Sequence, residues 1–127
     1  MTVLRKILLI LSIILLSSSS SNAKENDVDL FTECFNALST CEFQATKKQK
    51  GDMNVCLAGK KFLESNCKGT VMEPHIHEEY LNIGVLYYYK NDKLNARDYL
   101  LKAAKLGNLK AQKNLDILCK ESPWACK

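Results

Sequence analysis

Two sets of residues in this 127-residue chain are of types that could do chemistry. One is the six cysteines Cys34, Cys41, Cys56, Cys67, Cys119 and Cys126. The other is the run His75-Ile76-His77-Glu78-Glu79. Cysteines can be oxidised to disulfides, hold zinc or run thiol redox chemistry. The last two uses favour Cys-x2-Cys pairs, and this chain has none, so an even number of cysteines in so short a chain reads as a disulfide framework. A helical zinc protease needs His-Glu-x2-His, so that two imidazoles stand one turn apart. Here His77-Glu78 leads to Leu81, and the second ligand is missing. His75 and His77 at the start of a helix are expected simply to be exposed. Glu78 and Glu79 are adjacent and therefore point to different helix faces, which does not suit a paired-carboxylate site. No Gly-x-Ser-x-Gly elbow is present. The chain is not expected to be an enzyme, and neither a metal nor a cofactor is expected.

The chain's beginning names the compartment in which the cysteines would be oxidised. Arg5 and Lys6 precede an apolar run from Ile7 to Leu16, interrupted only by Ser12, and then a small polar stretch ending Ser21-Asn22-Ala23. This is the order of a cleavable signal peptide, with cleavage expected after Ala23. The apolar run is about half of the roughly 20 residues that a membrane span needs. No cysteine stands near the cleavage site for a lipid anchor, so no membrane anchor is expected after cleavage. Removing 23 of the 127 residues leaves 104, enough for one domain with one core. All six cysteines lie in that part, and the expected location is periplasmic or secreted. Without Arg5 and Lys6, the 18 basic and 14 acidic residues leave a net charge of about +2. This near-balance excludes the strongly basic footprint of a nucleic-acid binder. Lys47, Lys48, Lys50, Lys60 and Lys61 are read as solvated surface.

The elements that must position these residues are all helices. Asp27 or Asp29 can cap a first helix reaching about Lys48, with apolar residues at Val28, Leu30, Phe31, Phe35, Leu38 and Phe43. Gly51-Asp52 breaks it, and Asp52 caps a second helix ending near Cys67. A third runs from Pro74 or His75 to Lys90, and Asn91-Asp92 turns the chain. A fourth runs from Leu94 to Leu106 and stops at Gly107. A fifth runs from Asn108 to Lys120, and Ser122-Pro123 opens a short terminal turn or helix with Ser as cap. No alternating strand pattern of useful length is present, so the fold class is all-α, five helices in antiparallel hairpins.

Helix geometry restricts the cysteine pairing. Cys34 and Cys41 share one helix face about 10 Å apart along the axis, beyond the roughly 7 Å that a disulfide allows between Cα atoms. Cys56 and Cys67 likewise share a face and cannot pair within one helix. Six cysteines allow 15 pairings. The simplest is a hairpin with rungs Cys34–Cys67 and Cys41–Cys56, whose midpoints both fall near the Gly51 turn. Eleven residues rise about 6 Å more than seven, so one helix must fray or tilt, and Cys67 near a helix end could absorb the difference. Pro123 breaks the chain between Cys119 and Cys126, which permits a local bond expected to clamp the C-terminus and pin Trp124 against the last helix.

Residues 80–115 alternate large and small apolar positions at helical spacing: Tyr80, Ile83, Gly84, Tyr87, Ala96, Leu100 and Ala103, then Gly107, Ala111, Asn114 and Leu115. This spacing resembles the tetratricopeptide repeat, and Lys102-Ala103-Ala104 with Gly107, Ala111, Asn114 and Leu115 resembles its Sel1-like variant. Over about residues 78–118 the chain is identified as similar to a small, exported, cysteine-rich member of that family. Asn108 stands where the tetratricopeptide pattern usually has proline. The resemblance implies stacked helix pairs that bind a protein or peptide. By analogy it implies a bacterial periplasmic immunity protein or an accessory of a secretion or conjugation apparatus. A disulfide-rich effector or toxin that acts on other cells is the alternative. Tyr87, Tyr88 and Tyr89 fan around one helix, so Tyr87 is expected in the core and the other two toward a rim. Tyrosine is a favoured interface anchor. The partner-binding candidates are Asn82, Tyr88, Tyr89, Lys90 and Arg97.

Overall fold

The computed structural model describes residues 27–127, and the expected signal segment lies outside the described residues. Five α-helices follow one another: α1 (27–46), α2 (Met53–Asn66), α3 (Ile76–Tyr89), α4 (Lys93–Lys105) and α5 (Leu109–Glu121). Single turns of 3-10 helix sit at Lys48–Lys50, Glu73–His75 and Pro123–Cys126. Among the described residues no strand occurs, and no helix is long and apolar enough to cross a membrane.

The helix starts follow local chemistry. The Asp52 side chain accepts a hydrogen bond from Asn54 N, Asp92 accepts from Asn95 N, and Asn108 accepts from Ala111 N. Each replaces a partner that the first turn of a helix lacks. Asn91 (φ 64°) and Gly107 (φ 94°) take left-handed conformations in the α3–α4 and α4–α5 turns. Two boundaries differ from the sequence reading. Helix α1 ends at residue 46 rather than near Lys48, because Lys48 turns to φ 54° and the chain folds back there. Gly51 then lies so close to the end of α1 that a Cβ would clash with the Gln44 carbonyl oxygen, while Asp52 N donates to Gln44 Oε1 at 2.8 Å. At the other end, Ser122 makes no side-chain cap to the Pro123 turn.

Successive helices run antiparallel. Between α1 and α2 the pairs are Cys34 with Cys67 and Cys41 with Cys56. Between α3 and α4 they are Tyr80 with Lys102, Gly84 with Leu100 and Tyr87 with Tyr99. In both sets one number falls as the other rises. Small residues set the spacing: Ala96, Ala103 and Ala111 are fully buried, and Gly84 receives the Leu100 side chain against its backbone. A core of Tyr80, Leu81, Leu100, Leu115 and Leu118 joins α3, α4 and α5, and Ile83 and Leu86 join α3 to the first hairpin.

The three disulfides are Cys34–Cys67, Cys41–Cys56 and Cys119–Cys126, with Cα atoms 6.0, 4.7 and 5.5 Å apart. The axial mismatch is absorbed at Cys67, which is the C-cap of α2 and lies beyond its last helical residue. Both rungs are interior: Cys41 and Cys56 pack with Ile83 and Leu86, while Cys34 and Cys67 pack with Leu38, Leu63 and Met72. The terminal clamp works differently from the expectation. Trp124 is 61% exposed; the buried residue of that turn is Ala125, whose carbonyl accepts from Arg97 at 2.7 Å. The turn places the small Ala125 inward, where its carbonyl meets Arg97, and leaves the neighbouring Trp124 outside.

Candidate functional site

Three helices enclose a groove. Helix α1 forms one wall with residues at 31, 35, 38, 42 and 45, a spacing of four and three that keeps them on one face. Helix α3 supplies the floor through Glu78, Leu81, Asn82, Val85 and Tyr89, and α5 adds Lys110 and Asn114 on the far side. The groove has two adjoining parts of about 680 and 420 Å³ that share Glu42, Leu81, Asn82 and Lys110.

The two parts differ in chemistry. The first is apolar. Phe31 and Phe35 stack with ring centroids 6.4 Å apart and are 44% and 52% exposed, and Val71 opposite them is 74% exposed. Leu38 and Met72 lie beneath. His75 Nδ1 stands 3.3 Å from Glu78 Oε1 at its margin. The second part is mixed, with Thr46, Lys48, Tyr89 and Asn114 beside Ala45, Leu81 and Val85. Lys47, Lys48 and Lys50 are exposed on the turn at that end, and Lys90 Nζ donates to the Gln49 carbonyl at 3.2 Å.

The expected contact residues divide between places. Asn82 and Tyr89 line the groove, and Lys90 is tied to the lysine turn at its mixed end. Tyr88 turns away: its hydroxyl donates to Glu121, and Lys93 Nζ stands 4.0 Å from its ring centroid. Arg97 holds the C-terminal turn through Ala125 and also pairs with Asp98 at 2.7 Å. Tyr87, expected in the core, is only half-buried and stacks on Tyr99. Lys60 Nζ donates to the Tyr99 hydroxyl at 3.3 Å, and Tyr80 donates to Glu64 at 2.9 Å. Burial, and then the bond to Glu64, hold the Tyr80 phenol well above its ordinary range, and the hydrogen bonds of this cluster knit α2, α3 and α4 together.

His75 is exposed, as expected, whereas His77 is half-buried. His75 faces Glu78, and His77 Nδ1 lies 2.9 Å from the Asn108 amide nitrogen. Among the described residues no group of three His, Cys, Asp or Glu side chains is placed to hold a metal ion. Glu78 and Glu79 part as expected, but Glu79 goes fully inside, and both its carboxylate oxygens lack a hydrogen-bond partner. It sits where α2 crosses α1 at Gly59 and Ala37, and burial pushes its pKa up to about 8.

Sequence reasoning passed over the aromatic wall. Phe31 and Phe35 were read only as apolar positions of the first helix. The signal was present: Val28, Phe31, Phe35 and Leu38 repeat at three and four residues, and the exposed Val28, Phe31 and Phe35 lie beside the inward face marked by Cys34, Leu38 and Cys41. A helix with two apolar faces has one to spare. The described residues thus form an all-helical, disulfide-stapled domain with a groove on one side. No family model, no curated protein and no solved structure matches the chain.

Proposed function

We propose that this chain is an exported, helical-repeat protein-binding module, and that the groove walled by α1, α3 and α5 is where its partner docks. The observation that carries the reading is the pair Phe31 and Phe35, two large apolar rings left open beside Val71 above a cleft that already reaches the core. Exposed apolar surface rimmed by polar groups marks interaction sites, and aromatic anchors dominate binding energy. The close helix packing at Gly84, Ala96, Ala103 and Ala111 supports the tetratricopeptide or Sel1-like reading of residues 78–118. Three disulfides, with no free cysteine among the described residues, support an oxidising compartment, periplasmic or extracellular. Within that class the immunity protein or secretion accessory is the favoured role, and a secreted effector is the alternative.

The test is cross-linking and co-purification from the producing organism, with the native chain and with Phe35→Asp. A single stoichiometric protein captured by the native chain and lost with Phe35→Asp supports the reading. Capture that survives Phe35→Asp removes the groove from it. A purified protein that kills other cells and takes no partner replaces it with the effector.

A further inference from the structure

We infer that the occupant of the groove is an amphipathic α-helix of about four turns, apolar over one half and acidic over the other. This rests on the protein-binding reading above and narrows it to one kind of partner.

Length comes first. The α1 wall runs from Phe31 to Thr46, and fifteen steps of a helix rise roughly 23 Å. A docked helix of about 16 residues would match that wall along its whole length. Next is the form of the partner. The lining side chains come almost entirely from helices, whose mid-chain backbone groups are already bonded within them. An extended peptide brings unpaired N–H and C=O groups and would find no sheet edge here to receive them. A helix arrives with its own backbone bonds made and needs only side-chain contacts. It would lie against the four-and-three rows of α1 and α3 as their natural neighbour.

Chemistry then divides the occupant in two. At one end Phe31, Phe35, Leu38, Val71 and Met72 offer apolar surface, and the Glu78 carboxylate there faces the His75 ring, while Glu42 and Lys110 stand at the junction with the second part. At the other end Lys48 lines the groove and Lys110 stands where the two parts meet, while Lys90 bonds the Gln49 carbonyl on the exposed turn that also carries Lys47 and Lys50. Glu42 is the single carboxylate among the residues lining that end. The net field there is positive and suits acidic side chains, while a basic half-helix would meet repulsion.

Fluorescence anisotropy with designed, labelled peptides tests this, using the chain expressed from its full sequence into an oxidising compartment. Three helical peptides of about 16 residues are compared: apolar–acidic, apolar–basic and a scramble of the first. The expected result is saturable binding of the apolar–acidic peptide alone, weakening as salt rises. Phe35→Asp should weaken it at least about tenfold, the scale of a lost aromatic anchor. Lys110→Glu should weaken it several-fold and narrow the gap to the apolar–basic peptide. Equal binding of the acidic and basic peptides overturns the charge assignment. No binding of any peptide, while a natural partner is still captured and lost with Phe35→Asp, overturns the helix and leaves the protein-binding reading standing. Loss of both peptides and partner overturns both.

Discussion

Gly59 and Glu79 compete for one place: a Cβ on Gly59 would stand 2.9 Å from Glu79 Oε1. The glycine of α2 leaves the room into which the carboxyl group of α3 is packed, and the Ala37 carbonyl of α1 closes the third side, 3.3 Å from that same Cβ position. The hairpin rungs Cys34–Cys67 and Cys41–Cys56 flank this crossing. A carboxyl group there has no partner, and an unpaired buried charge is expensive.

The first prediction follows from that cost. Unfolded, Glu79 ionises near its ordinary 4.5; folded, burial holds it neutral up to about 8. Between those values the folded state binds the extra proton, so stability falls as pH rises. The full benefit of the neutral acid is present below about pH 4.5, declines through the interval and is gone above about 8. At about 1.4 kcal/mol per pH unit the loss has an upper bound of about 5 kcal/mol. Urea melts between pH 5 and 9 should show this decline in the native chain and a flatter profile in Glu79→Gln. Equal slopes in the two proteins would show that Glu79 is not its source.

A second prediction concerns the α3–α4 crossing. A Cβ on Gly84 would meet Leu100 Cγ at 2.8 Å and the Leu100 backbone nitrogen at 3.1 Å. Alanine gains about 1 kcal/mol in helix propensity over glycine, but overpacking costs roughly 1–3 kcal/mol, and here backbone as well as side chain must move. Gly84→Ala should therefore lower stability on balance. Truncating its neighbour tests the cause: in a double-mutant cycle, Leu100→Ala should relieve part of the penalty. Strict additivity would assign the loss elsewhere.

The disulfides should open in a fixed order. Cys34, Cys41, Cys56 and Cys67 are at most 1% exposed, whereas Cys126 is exposed and Cys119 half-buried. Thiol exchange requires access to a sulfur. Mild reductant followed by alkylation and peptide mapping should label Cys119 and Cys126 first. Early labelling of Cys41 or Cys56 would contradict their interior position. Replacing the clamp with Cys119→Ser and Cys126→Ser should cost about 2 kcal/mol, the loop-entropy value for so short a ring. The Arg97–Ala125 contact and the burial of Ala125 should be lost with it.

Much of this fold was legible because its signals are local. Asp52, Asp92 and Asn108 cap where their types suggest, and Gly107 ends α4 in a left-handed turn. Axial rise excludes pairing within one helix, and the midpoints near Gly51 make Cys34–Cys67 with Cys41–Cys56 the simplest of the 15 pairings. The groove was less legible, because period alone does not say which of two apolar faces a helix buries. On α1 the cysteine face turned inward and the phenylalanines stayed out. Glu79 was invisible for a related reason. One residue among charged neighbours reads as surface unless the opposing glycine, 20 positions earlier, is known to face it. Asn82 and Tyr89 line the groove because α3 carries them on that side, while the Tyr88 hydroxyl bonds Glu121 and Arg97 bonds the Ala125 carbonyl.

Asn108 supplies the last prediction, because it stands where the repeat pattern it resembles usually carries proline. Its side-chain oxygen accepts from Ala111 N at 2.8 Å, and its amide nitrogen lies 2.9 Å from His77 Nδ1, tying the start of α5 to α3. Its own backbone N–H donates to the Ala103 carbonyl at 3.1 Å. Proline would remove all three contacts, because it has neither the side-chain groups nor the donor. Asn108→Pro should therefore destabilise by more than the roughly 1–2 kcal/mol expected of Asn108→Ala, which loses only the cap and the histidine link. Asn108→Asp keeps a capping oxygen and should fall between the native chain and alanine. Thermal melts of the three variants rank them. A proline variant as stable as the native chain would show that the repeat pattern, and not the cap, governs this turn.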